Sequence, residues 1–200
     1  MRGDGAEVRL GPRSRPQPHD GFAPRAHLRP HGNQNDRDAF ADIFRRVGLE
    51  LLRPETVHPT DATPFFILTS EDLEGPAFSH VLHFDAEMIE DHADYAKWVR
   101  QWARATGKED RLSDASSHLD YEARTATLEY TLDGVSRRME FEQADDWLNP
   151  EVAMDILDDF GDVPGRVRLF IDNGQGGTYV WLPEEGVAEF QELFPEAKRS

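Results

Sequence analysis

The chain contains no cysteine, which excludes disulfide bonds, thiol catalysis and Cys-ligated zinc and fits a reducing compartment such as the cytosol. It lacks any apolar run near the roughly 18–20 residues of a membrane-spanning helix, and its first thirty residues lack the apolar centre of a signal peptide. A cytoplasmic protein with no membrane contact is the expectation. Bases are scarce, 22 Lys and Arg against 39 Asp and Glu, for a net charge of −17. That balance argues against nucleic acid, whose phosphates need a basic footprint. Sequence marks of enzyme chemistry are missing too. There is no G-x-S-x-G elbow, no H-E-x-x-H, and no phosphate loop running into Lys-Ser/Thr.

What is present fits one domain with an appendage. Residues 1–36 are rich in Pro, Arg and Gly and hold one large aromatic, Phe22. Such a stretch has too little apolar surface to offset its ordering entropy, so it is expected to be a disordered tail or an over-extended start. Residues 1–40 carry seven bases and five acids, which leaves fifteen bases and thirty-four acids (−19) for 41–200. Residues 37–200 are expected to form one domain, with 37–117 and 118–200 as possible subdomains.

Asp36 reads as the cap of a first helix with Phe40, Ile43, Phe44 and Val47 on one side and Gly48 closing it. Leu49–Arg53, Phe65–Thr69 and Phe78–Phe84 read as strands between breakers. Asp85 to Gly107 reads as a long helix. Asp133-Gly134 is a two-residue hairpin turn, which sets Leu132 opposite Val135, Leu128 opposite Met139, and Glu129 opposite Arg138. Asn149-Pro150 caps a helix ending at Gly161. Arg166–Asp172 and Thr178–Leu182 form a second hairpin across the glycine-rich turn after Asp172, and Pro183 opens a last helix. The repeating order of strand, strand, helix implies an α+β fold with a mainly antiparallel sheet. The last two units are expected to share four strands, with helices packed chiefly on one face.

Three places carry candidate function. On the 149–161 helix, Val152, Ile156, Phe160, Ala153, Leu157 and Met154 cover one side. Glu151, Asp155, Asp158, Asp159 and Asp162 fall within about a 100° arc on the other. Nine acids and no base lie between Met139 and Gly165. Spaced four apart, such carboxylates repel at about 0.2–0.5 kcal/mol per pair, and helix chemistry alone does not favour them. They fit either a solvated face, partly neutralised by Arg166 and Arg168, or a docking face for a basic partner. Trp98 falls among Glu87, Asp91 and Asp94 on its helix and is a candidate contact anchor, while His92 falls within the buried stripe. On the last hairpin, Arg168, Tyr179 and Trp181 share one sheet face, which either meets a partner or packs on the first half of the chain. A fourth and weaker feature, His83 with Asp85, has a metal-like spacing, although strand alternation puts His80 on the opposite face.

The expected function is a non-catalytic acidic protein that binds a basic protein partner and needs no cofactor. By class alone it is comparable with inhibitor and immunity proteins that neutralise basic toxins. One alternative is a metal-dependent hydrolase using His83 and Asp85 with either His118 or an acid from elsewhere in the chain. A second is a homo-oligomeric accessory protein joined through the outer sheet face.

Overall fold

The computed structural model describes residues 34–57, 63–72, 75–143 and 145–200. The expected tail therefore lies outside the described residues except for its last three, which open the first helix. In chain order the elements are α1 (Gln34–Arg46), α2 (Pro64–Leu68), β1 (Glu71–Asp72), β2 (Gly75–Pro76), β3 (Val81–Asp85), α3 (Asp94–Ala105), β4 (Leu112–Asp120), β5 (Thr125–Leu132), β6 (Val135–Glu142), α4 (Pro150–Phe160), β7 (Val167–Asp172), β8 (Gly176–Leu182), α5 (Glu184–Leu193) and β9 (Lys198–Arg199). The fold is α+β, and every strand pairing is antiparallel.

The hairpins do not share a sheet. β5 and β6 join β4 in a three-stranded sheet, whereas β7 and β8 lie between β3 and β9 in a four-stranded sheet of order β3-β8-β7-β9. The Asp133-Gly134 turn, with both residues at positive φ, sets the β5–β6 register as the spacing requires, and Arg138 pairs with Glu129 across it. β4 is polar, and a bulge between Ser113 and Ser116 breaks its alternation, so it leaves little trace in the hydrophobic pattern.

Two apolar cores lie on opposite sides of the four-stranded sheet. Val81, Leu169, Ile171, Val180 and Leu182 pack against Phe40, Phe44, Ile67, Leu68, Phe190 and Phe194 of α1, α2, α5 and the turn after α5. Leu82 and Trp181 point the other way, to Trp98, Val99 and Trp102 of α3. Helices on one face describes the three-stranded sheet, whose Leu128 and Tyr130 meet α3 and α4 while Glu129, Arg138 and Glu140 stay outside. It does not describe the four-stranded sheet, which helices cover on both faces.

Five local expectations change. α1 begins at Gln34, so Asp36 lies within it and not at its cap, and Leu49–Arg53 forms no strand beyond a single bridge at Leu51. Phe65–Thr69 is not a strand: Thr63 caps and Pro64 opens the short α2, because a five-residue apolar run with those flanks suits a helix turn equally well. Phe78 makes only an isolated bridge to Leu51, and His80 at φ 57° interrupts the run before β3 starts at Val81. α3 begins at Asp94, not Asp85. Its Oδ2 accepts the N–H groups of Glu90 and Asp91, so the preceding residues form a capping loop.

Candidate functional site

α4 is set by its N-terminus. Asn149 Oδ1 accepts the N–H groups of Glu151 and Val152, and Pro150 occupies the first turn, where an N–H would go unused. Val152, Ile156 and Phe160 are buried. The opposite side presents Glu151, Met154, Asp155 and Asp158, spaced i, i+3, i+4 and i+7 along one exposed stripe. Met154, expected on the apolar side, is 55% exposed. None of Glu151, Asp155, Asp158 or the exposed Asp162 has a side-chain hydrogen bond or ion pair among the described residues.

Asp159 has a different task. Its Oδ2 accepts the Tyr130 hydroxyl at 2.8 Å and Arg137 Nε at 2.9 Å, and its Oδ1 accepts Arg137 Nη2 at 2.8 Å. The carboxylate pins α4 to β5 and β6. Burial, then the bond to Asp159, pushes the Tyr130 phenol well above its ordinary value. The expected neutralisation by Arg166 and Arg168 is replaced by this pair. Arg166 donates to the Gly48 and Trp181 carbonyls, and Arg168 Nε to Ser200 O and Oγ.

The aromatic anchors chosen from sequence lie inside. Trp98 is 1% exposed and Trp181 is fully buried. Trp102 joins them edge to face, at 5.8 Å from Trp98 and 5.7 Å from Trp181, with Tyr179 at 5.1 Å. The face bearing Tyr179 and Trp181 packs on α3, so it offers no indole to a partner. Trp98 departs from expectation because α3 is buried on two sides, between the two sheets, leaving Lys97 and Arg100 exposed. The tryptophan that does reach solvent is Trp147, 45% exposed just before α4. The nearby Asn149-Pro150 helix start marks it as a loop residue.

His80, His83 and His118 do not converge. His83 Nδ1 lies 2.9 Å from Thr178 Oγ1, and Asp85 Oδ1 accepts the Glu87 N–H. His80 Nδ1 lies 2.9 Å from the Ala105 carbonyl. Burial lowers the pKa of both His80 and His83. His118, on β4, stacks on His92 at 4.6 Å between ring centres. His92 itself lies ahead of α3, exposed, where its Nδ1 accepts the Leu119 N–H. No group of three or more His, Asp or Glu among the described residues could hold a metal ion. The glycines after Asp172 are explained by local structure: Gly174 takes φ 93° in the turn, and close packing requires the two that open β8. A β-carbon on Gly176 would lie 2.2 Å from the Phe84 carbonyl, and one on Gly177 would lie 2.2 Å from the Phe170 ring.

No described helix is long and apolar enough to cross a membrane. Compared with known proteins, the chain matches no family model, no curated protein and no solved structure.

Proposed function

We propose that this is a non-catalytic binding protein of the cytoplasm that docks a basic protein partner through the outer stripe of α4. The observation that carries the reading is a set of exposed acids around an apolar spot. Glu151, Asp155 and Asp158, with Met154 between them and Trp147 at the head of the helix, have no side-chain hydrogen bond or ion pair among the described residues, although Asp155 is near enough to act on Arg137. Carboxylates repelling one another along a helix are unfavourable for the fold, and a cationic surface would relieve them. They would steer and orient the encounter, while Met154 and Trp147 would supply desolvated contact area in place of Trp98 and Trp181. Neutralising a basic toxin, as inhibitor and immunity proteins do, is the role this mode of binding suits.

The test is affinity capture of the tagged chain from lysate of its source organism, eluted by a salt step and identified by mass spectrometry. One stoichiometric basic protein is expected. Asp155→Asn with Asp158→Asn should weaken its binding about 5- to 30-fold, the effect of two rim charges, and flatten the salt dependence. Unchanged affinity and salt slope would refute the docking face.

A further inference from the structure

A second surface carries the opposite charge. Beyond the end of α4, a cleft of about 440 Å³ is lined by Lys108, Arg111, Arg166 and Arg168, with Asp162 as its one acid. We propose that this cleft binds a small oxyanion, either inorganic phosphate or the phosphate group of a phosphomonoester. The inference stands apart from docking through α4.

The argument rests on how these cations are held. Elsewhere in this acidic chain several arginines meet a carboxylate, as Arg137 meets Asp159 and Arg199 meets Glu184, although Arg100 on α3 donates to the Ala115 carbonyl. Arg111 likewise meets a carboxylate, that of Asp133, at the cleft's edge. Lys108, Arg166 and Arg168 do not. Lys108 Nζ donates to the Asp159 and Phe160 carbonyls at 3.1 and 3.0 Å, although the residue is only 8% exposed. Arg166 Nη1 donates to two carbonyls, both at 3.0 Å. Arg168 spends only its Nε, on Ser200. Peptide carbonyls satisfy hydrogen bonds but cancel no charge, so among the described residues Lys108 and Arg166 stand in one cavity without an ion-paired carboxylate, and Arg168 meets no acidic side chain but only the oxygens of the terminal Ser200. Burial lowers the pKa of both Lys108 and Arg166; at Lys108 the neighbouring Arg111 adds to the effect, and Asp162, Asp133 and Asp159 offset it only in part.

The negative end of α4 would oppose an anion, but it is already occupied. Lys108 takes its last carbonyls, and Trp181 Nε1 donates to the Gly161 carbonyl at 2.7 Å. Gly161 also leaves room for Arg168. A β-carbon there would lie 2.0 Å from Arg168 Nη1 and 2.4 Å from the Leu157 carbonyl. The guanidinium therefore lies over the helix end with both terminal nitrogens unspent, the fork that recognises phosphate oxygens. The volume suits a small molecule and not a polymer. Asp162 is exposed and could accept a hydroxyl of the esterified group.

The experiment is calorimetric titration of the full chain with sodium phosphate and, separately, with glycerol 2-phosphate, each against sodium chloride at equal ionic strength. Saturable binding in about the millimolar range or tighter is expected. Arg168→Gln should weaken it about tenfold or more, through loss of a charge-assisted contact. Arg111→Gln, which gives up only an exposed pair, serves as a second variant should Arg168→Gln fold poorly. Arg100→Gln, on the outer side of α3, should bind as the parent does. Tighter binding of the ester identifies a phosphomonoester, and equal binding identifies phosphate itself. No heat beyond the chloride control, or equal affinity in both cleft variants and the parent, overturns the proposal.

Discussion

Replacing the three neighbouring aspartates of α4 one at a time by alanine should change stability in opposite directions. Asp159 receives the Tyr130 hydroxyl and both arms of Arg137. Tyr130 is 1% exposed, so its hydroxyl would be left in the interior without an acceptor. A hydrogen bond to a charged group contributes about 1.5–3 kcal/mol. The Arg137 pair adds less, at most about 1 kcal/mol, because that side chain is 49% exposed and water screens it. Against this, alanine removes a negative charge from the negative end of the helix and from the repulsion with Asp155, returning about 0.5–1.5 kcal/mol. The net loss for Asp159→Ala is about 2 kcal/mol, or a fall of about 4–8 °C in Tm for a domain of this size.

Asp155 and Asp158 make no such contacts. Their replacement relieves like-charge neighbours and improves helix propensity, so each variant should gain about 0.3–0.8 kcal/mol. Urea unfolding followed by circular dichroism at pH 7 reads all three. A double-mutant cycle with Tyr130→Phe should give a coupling of about 1–2 kcal/mol with Asp159 and none with Asp158. If Asp159→Ala is neutral, or all three variants move alike, the division of this face into one structural acid and several free ones is wrong. The same division decides how docking is tested. A variant that includes Asp159 would confound lost binding with a loosened helix.

Two further outcomes test the packing. Of the four tryptophans, only Trp147 is open to solvent, so acrylamide should quench one emitting component, and Trp147→Phe should remove it and shift the remaining emission to the blue; quenching that survives this substitution would place Trp98, Trp102 or Trp181 at the surface. Burial pushes the Tyr95 phenol up to about 12, while it donates to Gln143 Oε1 and accepts the Asn149 N–H. The native state holds this proton more tightly than the unfolded chain, whose tyrosines titrate near pH 10. The contribution, on the order of 2–3 kcal/mol, is therefore complete below pH 10 and lost as pH rises toward 12. The stability gap between the parent and Tyr95→Phe should narrow over that window in urea melts, and a gap independent of pH would refute the assignment.

Elements whose termini carry their own chemistry were legible in the sequence. Asp133-Gly134 set a register residue by residue, Asn149-Pro150 started α4, and Gly48 at φ 94° ended the first helical segment. Elements defined by what covers them were not. β4 buries only Leu119 and carries a bulge, so its pairing with β5 depends on main-chain hydrogen bonds that no side-chain pattern reports. Lys198–Arg199 is two exposed residues, yet it completes the edge beyond β7. Trp98 shows the limit most clearly. A helical wheel assumes one buried side, and α3 has two, because the partition of the hairpins into separate sheets places a sheet on either side of it. That partition is a long-range property, absent from any window of the chain.

The candidate site follows the same rule. Which α4 residues are acidic was plain, but which of those acids are spent was not, since Arg137 reaches Asp159 across 22 positions and Lys108 reaches the Asp159 carbonyl across 51. Once these contacts are subtracted, unspent charge of both signs collects around one helix. The acids lie along its outer stripe, and the cations lie in the cleft past its end. They offset each other only where Asp162 enters the cleft and acts on Lys108, whose amine is turned inward onto the carbonyls as Arg166 is toward Gly48 and Trp181. Net charge serves solubility wherever it lies, so its position has to be tested group by group: the acids of the outer stripe by partner capture and salt dependence, and the cations past the helix end by phosphate titration.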